Sequence, residues 1–543
     1  MRSVTLSGSA IGMSNREGRG GVSAEICGPS HIGGAHVPDY VPLVREIAPP
    51  GSAMAAFERI AGRPGAVLLE SGTREAKLGR WSFLACDPFL TLRSKGSRVE
   101  LRWSDRADTV EGDPFLVVRE LLSQFRVARP AGSPPLIAGA IGYFGYDLGR
   151  FVERIPEVTV DDVPVADCHL GFYGTVVAMD HIAGRAWVSA IGAPDNDPKA
   201  ARRLAETRAD ELAEAVAGRP HPPSPSPRAE RGRQREGREP RAGRGEVCST
   251  PRVLDSSSPR FQVASNFTHG DYLQAVRRAK EYIAAGDIYQ VNLSQRMSAP
   301  LATTPMSLYR RLTRENPAPF SAYFETPEAA IVCCSPERFL QVRSGEVETR
   351  PIKGTRPRGG TPEEDARLAA ELLASEKDRA ENVMIVDLER NDLGRVCEYG
   401  SVHVPELFAL ESYATVHHLV STVRGRLRPG ATALDCLRAS FPGGSITGAP
   451  KVRSMEIIEE LERTRRGVYT GAIGYLCFSG DMDVNIVIRT LVVRDGTAYF
   501  QVGGAIVADS DPEGEYQETL DKARALARGL AAEAGTETVQ WPG

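Results

Sequence analysis

No apolar run in the 543 residues is long enough to cross a bilayer, and the first residues lack the basic-then-apolar order of a secretion signal. The cytoplasm is the expected compartment, with no membrane partner. Charge of one sign is also lacking, since 66 Lys+Arg stand against 70 Asp+Glu for a net charge of -4. Such a balance gives no general attraction to nucleic acid, so any basic site must be local. The nine cysteines, at 27, 86, 168, 248, 333, 334, 397, 436 and 477, are scattered, odd in number and never spaced C-x-x-C. That pattern argues against zinc and against a disulfide framework. Cys333, Cys334 and Cys477 lie in apolar strand-like runs and read as small core residues. With 41% hydrophobic and 25% charged residues, the chain can bury a large core as one large or two intimately joined domains.

Residues 1–37, rich in Gly and Ser, read as a disordered leader. Residues 38–217 alternate short strand-like runs with Gly and Pro punctuation and close with a helical pattern from Asp197 to Val216. Residues 218–260 turn to Pro, Ser, Arg and Gly, a composition that cannot bury surface and reads as a tether. Residues 261–537 are denser in pattern. Asp271 to Ala285 places Tyr272, Val276, Ala279 and Ile283 on one helical face, and Gly286 follows as a left-handed cap. In Asp287 to Arg296, Tyr289, Val291 and Leu293 alternate with Gln290, Asn292, Ser294 and Arg296. One face of that strand is expected on a core, and the other lines a cleft or meets water. Thr361-Pro362-Glu363-Glu364 has a capping-box order with proline at the first helical position, and a second helix is expected through Asp378 to Leu388.

Four features carry chemistry. Lys353, pinned between Pro351-Ile352 and Gly354, is a candidate nucleophile, because a lysine withdrawn from water loses its proton near neutral pH. Arg350, Arg356 and Arg358 crowd it, which fits either a basic surface loop or cationic surroundings that depress its pKa. Asp378 and Glu381 share one helix, while Glu515, Glu518 and Lys522 form a stripe on the helix opened by Asp511-Pro512. Two such carboxylate pairs suit Mg²⁺ by their oxygen-only donors, or are two solvated helix faces. The loop Phe441 to Lys451 offers amides, hydroxyls and Lys451 at a helix N-terminus, as an anion receptor or only a helix start. Glu337, after the apolar run Ala330 to Cys334, is a candidate acid with raised pKa or an ion-pair partner of Arg338.

In order along the chain, GDIYQVNLSQR, SPERFL, PIKGTRPRG, ENVMIVDLERNDLG, HHLVSTV, FPGGSITGAPK, YTGAIGY, NIVIRT and ADSDPEGEYQETLDKA resemble the chorismate-utilising, anthranilate synthase component I-like family. LLES, GRWSFL and GAIGYFGYDLGRFVE resemble the amino-terminal domain of its aminating members. The resemblance implies an α+β fold with two large antiparallel sheets packed together and helices outside. It implies Mg²⁺ on Glu381 and Glu518, with Asp378 and Glu515 completing the site. Lys353, Glu337 and His418 become catalytic, the last two as acids toward the 4-hydroxyl of chorismate. Gln290, Thr447, Gly448, Tyr469, Arg489, Gly503, Gly504 and Lys522 become substrate-binding. Ala505 replaces the family's usual third glycine, and a positive φ there would cost about 1 kcal/mol.

Two positions separate the branches that the resemblance leaves open. Isochorismate and salicylate synthases carry a water-activating lysine where this chain has Gln290, and anthranilate synthases usually carry alanine where it has Lys353. Lysine at that position implies the aminodeoxychorismate synthase branch, which retains the enolpyruvyl group and supplies p-aminobenzoate for folate. The rival is the anthranilate synthase branch, with ammonia at carbon 2 and loss of pyruvate. Pro319-Phe320-Ser321 stands where anthranilate synthases have Pro-Tyr-Met, and Ser71, Arg80 and Trp81 suggest the remnant of a tryptophan pocket. No G-x-C-x-G elbow with a downstream His-x-Glu is present, so ammonia is expected from a separate glutamine amidotransferase subunit or from solution.

Overall fold

The computed structural model describes residues 39–73, 78–218, 260–413 and 416–542. The expected leader and nearly all of the expected tether lie outside them. Two 12-stranded sheets form the body. The first starts at Ile352–Pro357 and runs through Val416–Arg426, Glu346–Thr349, Arg338–Arg343, Met482–Ile486 and Ala472–Cys477. It then enters the first half of the chain at Gly139–Phe144 and ends at Ala107–Glu111. The second starts at Ala264–Ser265 and runs through Gln290–Pro300, Thr497–Ile506, Thr490–Arg494, Ala330–Ser335 and Phe320–Glu325. It crosses at Val67–Glu70 and ends at Leu43–Ile47. Neighbouring strands in both are antiparallel. Each sheet is therefore woven from both halves, with Ala472 opposite Phe144 in one and Ser321 opposite Glu70 in the other.

The inner faces pack on each other, Phe83 of one sheet lying 5.3 Å from Tyr475 of the other and Tyr143 lying 6.1 Å from Phe324. Buried aromatics such as Phe324 each contribute about 1.5–3 kcal/mol of transfer free energy to this layer. Helices cover the outer faces. Pro198–Ala217, Pro305–Glu315 and Pro512–Glu533 lie over the second sheet, while Pro114–Ser123, Glu376–Gly394 and Ala433–Ser440 lie over the first. No helix among the described residues is long and apolar enough to cross a membrane.

Helix ends follow the cap chemistry in the sequence. Asp197 and Asp511 cap Pro198–Ala217 and Pro512–Glu533, and His269–Ala284 is followed by Gly286 at φ 82°. Thr361 accepts from the Glu364 amide at 3.3 Å, but the returning Glu364 carboxylate takes the Gly360 amide at 2.9 Å, one residue earlier than a capping box requires. Ser375 ends that helix and caps Glu376–Gly394, accepting from the Asp378 amide at 3.2 Å. This junction orients the carboxylates of Asp378 and Glu381. One expectation fails at Tyr289, which is 73% exposed because the strand begins only at Gln290. Val291 and Leu293 are buried as expected.

Candidate active site

The polar face of Gln290–Pro300 meets protein rather than bulk water. Asn292 donates through Nδ2 to the Ser445 carbonyl at 2.7 Å, and Lys353 donates through Nζ to that same oxygen at 3.3 Å. The glycine-rich loop thus presents a carbonyl to a cation, where the sequence suggested amides for an anion. Lys451 is no part of a receptor, because its ammonium is buried against Asp392 at 2.6 Å and the Ser440 carbonyl at 2.9 Å. Gly448, at φ 144°, pairs with Val291, and a Cβ there would lie 2.2 Å from the Gln290 carbonyl. Only glycine lets the loop approach the strand so closely.

Burial lowers the proton affinity of the Lys353 amine, and Lys522 adds to the effect, while Glu381, Glu337 and Glu518 oppose it without reversing the sign. The neighbouring arginines are not the cause. Arg350 is buried on Glu411 at 2.5 Å, Arg356 holds Glu371 and Asp378 at 3.1 and 3.2 Å, and Arg358 holds Asp365 at 2.7 Å. Glu337 is buried, and burial raises its pKa against the opposing pull of Lys353, the Ile352 amide and the Ser445 hydroxyl. It makes no pair with Arg338, which is engaged by Asp483 at 3.0 Å and Glu348 at 3.2 Å. His418 faces Thr355 across the ladder, with Nδ1 2.9 Å from Thr355 Oγ1. Burial and the Arg489 cation bring its pKa to about 4, so the ring is neutral at pH 7. It can donate one N–H, and it is not an imidazolium acid.

Two carboxylates of the helix Pro512–Glu533 meet the Gly503-Gly504 ladder, and Glu381 of the helix Glu376–Gly394 lies within the field of Glu518. A Cβ at Gly504 would lie 3.0 Å from Glu515 Oε2 and 3.4 Å from Glu518 Oε1. Glu515 Oε1 accepts the Ser510 hydroxyl at 2.6 Å, whereas Oε2 is buried with no hydrogen-bond partner. An orphaned buried carboxylate oxygen beside a second glutamate fits a hard divalent cation in donor chemistry. Among the described residues, however, no three acidic or imidazole groups stand close enough to enclose an ion. Each is partly satisfied by a cation of the protein, Asp378 by Arg356, Glu381 by Lys377 at 3.9 Å and Glu518 by Lys522 at 2.7 Å.

Lys522 also donates to the Gly503 carbonyl at 2.8 Å. Arg489 sits at φ 49°, and its guanidinium has neither a salt bridge nor a hydrogen bond among the described residues. Solvent reaches it, yet surrounding protein lowers its pKa, which suits a cation waiting for a carboxylate. Tyr469 lies 5.8 Å from the Arg466 guanidinium, and burial raises its pKa to about 12. Thr447 spends its hydroxyl on the Gly443 carbonyl at 2.9 Å and its amide on the Gly444 carbonyl at 3.3 Å, while its carbonyl accepts from the Asn292 amide at 2.8 Å. Gln290 is fully buried, with neither its amide oxygen nor its nitrogen bonded within the protein. Ala505 lies in the regular ladder opposite Asn292 and not at positive φ, so it stores no strain.

Sequence reasoning missed three supports. The Ser445 carbonyl holds Lys353, Asn292 fixes that carbonyl, and the alternation of Gln290–Pro300 was a signal for Asn292. Arg466, buried on Glu462 at 2.7 Å, also bonds the Ile446 and Asn292 carbonyls at 2.9 and 2.8 Å. Nothing in the local sequence marks it.

Residues 67–528 match the family of chorismate binding enzymes. The chain belongs to that family. Over 482 residues it is 41% identical to aminodeoxychorismate synthase component 1 of Klebsiella aerogenes, covering 89% of this chain and 97% of that protein. It is 40% identical over 508 residues to anthranilate synthase component 1 of Cereibacter sphaeroides, covering 91% and 94%. The crystal structure of anthranilate synthase component I from Streptococcus pneumoniae superposes with a TM-score of 0.68 at 32% identity, covering 83% of this chain and 93% of that one.

In this chorismate-binding chain a separate cavity of about 360 Å³ opens between the sheets. Arg80, Trp81, Pro319, Phe320 and Ser321 line it, with Glu70, Arg338, Arg343 and Asp483 as its further charged groups. Arg80 is tied to Asp180 at 2.7 Å and lies 5.2 Å from the Trp81 ring. Ser71 is not in the lining, since its hydroxyl donates to the Thr73 carbonyl at 3.0 Å.

Proposed function

We propose that this chain is the chorismate-aminating component of an aminodeoxychorismate synthase, working through a covalent bond between Lys353 and the substrate ring. The observation that carries this reading is the place of the Lys353 amine: half-buried, held by the Ser445 carbonyl, and within the field of Glu337, Glu381 and Glu518. Overall identity is level between the two aminating branches among the relatives above, so the choice rests on the chemistry at position 353.

Arg489, Tyr469 and the Gly503-Gly504 ladder orient the two carboxylates of chorismate above Lys353. Glu381 and Glu518, with Glu515 and Asp378 as further carboxylates, would hold Mg²⁺, which would supply positive charge for a substrate carboxylate. The neutral Lys353 amine adds to carbon 2, the ring double bonds shift, and the 4-hydroxyl leaves as water with a proton from Glu337. Neutral His418 donates a hydrogen bond to that departing oxygen. Ammonia then adds to carbon 4, the double bonds return, and Lys353 leaves carbon 2 with the proton that ammonia releases. The product is 4-amino-4-deoxychorismate, with its enolpyruvyl group intact. Gln290 cannot take a proton from water, which disfavours hydroxylation. A component-1 chain implies a second component, here a glutaminase that delivers ammonia.

Mass spectrometry of a reaction containing chorismate, Mg²⁺ and ammonium salt tests the reading. The aminated ring carrying enolpyruvate is expected, and anthranilate with free pyruvate would overturn the branch assignment.

A further inference from the structure

Four cations stand around the two acidic helices, and three are fixed. Lys353 donates to the Ser445 carbonyl at 3.3 Å, Lys522 to the Gly503 carbonyl at 2.8 Å, and Arg356 to Glu371 and Asp378 at 3.1 and 3.2 Å. Lys377 differs. It lies in the first turn of Glu376–Gly394, 60% of its side chain is exposed, and its one ion pair among the described residues is that with Glu381 Oε1 at 3.9 Å. Its charge nonetheless reaches across to the facing helix, where it favours the ionised forms of Glu515 and Glu518. An ammonium so placed screens the mutual repulsion of the carboxylates, and its flexible four-carbon stem can carry it back into water at little cost.

Resting on the metal-dependent part of the reading above, we propose that Lys377 is a built-in competitor of the divalent cation. It holds the acidic helices together before the ion arrives, and it weakens the site's affinity for that ion. The geometry gives the sign. A divalent ion binding Glu381 and Glu518 must meet the positive charge of Lys377 or displace it, and either lowers the binding constant. Lys522 opposes the ion as well through its 2.7 Å pair with Glu518, but the Gly503 carbonyl also ties it to the ladder, and Arg356 is tied to Glu371, so Lys377 is the cation without such an anchor among these four.

The test is calorimetric titration of MgCl₂ into the chelator-treated full chain without chorismate, for wild type, Lys377→Met, Lys377→Arg and Glu381→Gln. Lys377→Met is expected to bind Mg²⁺ about three- to tenfold more tightly than wild type, and Lys377→Arg to match wild type. Metal-free Lys377→Met should also melt below metal-free wild type, with the gap closing at saturating Mg²⁺. Equal or weaker binding by Lys377→Met, or equal tightening by Lys377→Arg, overturns the proposal. Glu381→Gln keeps the two readings apart. If it abolishes binding while Lys377→Met behaves as wild type, only the Lys377 inference falls; if it binds as wild type does, the metal assignment falls as well.

Discussion

Replacing Lys353 separates the charge of its side chain from its nucleophilicity. Among the described residues the amine has no carboxylate within ion-pair distance, and its one hydrogen bond is to the Ser445 carbonyl at 3.3 Å. Each pairwise charge term with Glu337, Glu381 or Glu518 therefore stays below the roughly 4 kcal/mol of a 4 Å contact at an effective dielectric of about 20. Lys353→Ala loses those terms and the nucleophile together, and carbon 4 amination should fall by about 10²- to 10⁴-fold, or roughly 3–5 kcal/mol of barrier. Lys353→Arg keeps a permanent charge but cannot attack, so the same loss is expected. With carbon 2 left open, ammonia is expected to attack there, and anthranilate fluorescence should rise as the 4-amino product falls. Intact-protein mass spectrometry supplies an independent readout. Incubated with chorismate and Mg²⁺ but no ammonia, wild type should gain the mass of chorismate less one water on the peptide holding Lys353, and neither variant should. Unchanged rate and product in Lys353→Ala, or an adduct on another residue, would refute the reasoning.

Other consequences can be measured apart from turnover. His169, packed beside the Tyr143 and Phe324 rings, has its pKa brought down to about 4 by burial and then by Arg93. The unfolded chain binds its proton near 6.5, so stability is full above that pH and declines as pH falls toward 4. Urea unfolding should show about 2 kcal/mol less stability at pH 5 than at pH 7 from this residue, and His169→Phe should remove that share. Glu462→Gln leaves Arg466 buried without its charge partner and should cost about 3–5 kcal/mol in the same assay, whereas an exposed pair such as Arg202 and Glu206 should yield under 1 kcal/mol. A Glu462→Gln protein as stable as wild type would show that the Arg466 anchor does not hold the glycine-rich loop. Tryptophan added to the chain should raise its melting temperature through the cavity lined by Trp81 and Phe320, and Phe320→Ala should abolish the rise. No shift in wild type would leave that cavity without the proposed ligand.

Caps and alternation carried much of this fold into view before any coordinates. Asp197, Thr361 and Asp511 begin helices because short polar side chains satisfy free amides there, and that chemistry is local. Tyr289 misled because periodicity does not say where a strand starts, and here pairing to the glycine-rich loop begins at Gln290. Motif order brought Lys353, Glu337 and the acidic helices into one site. It could not give the direction in which that loop points, and so suggested amides where a carbonyl faces the lysine. The cause of the lowered Lys353 pKa was likewise hidden. Three flanking arginines looked decisive in sequence, yet each is neutralised by an acid 7 to 61 residues further along the chain, and burial dominates instead.

The strand Val67–Glu70 gains its neighbour Phe320–Glu325, and Gly139–Phe144 gains Ala472–Cys477, only once the ribosome has made those later segments. At about 5–20 residues per second, apolar strand edges stay uncovered for on the order of tens of seconds during synthesis. Neither sheet can close in a nascent chain truncated before residue 472, so chaperone capture, premature termination and fragment expression should all bear on yield before they bear on chemistry.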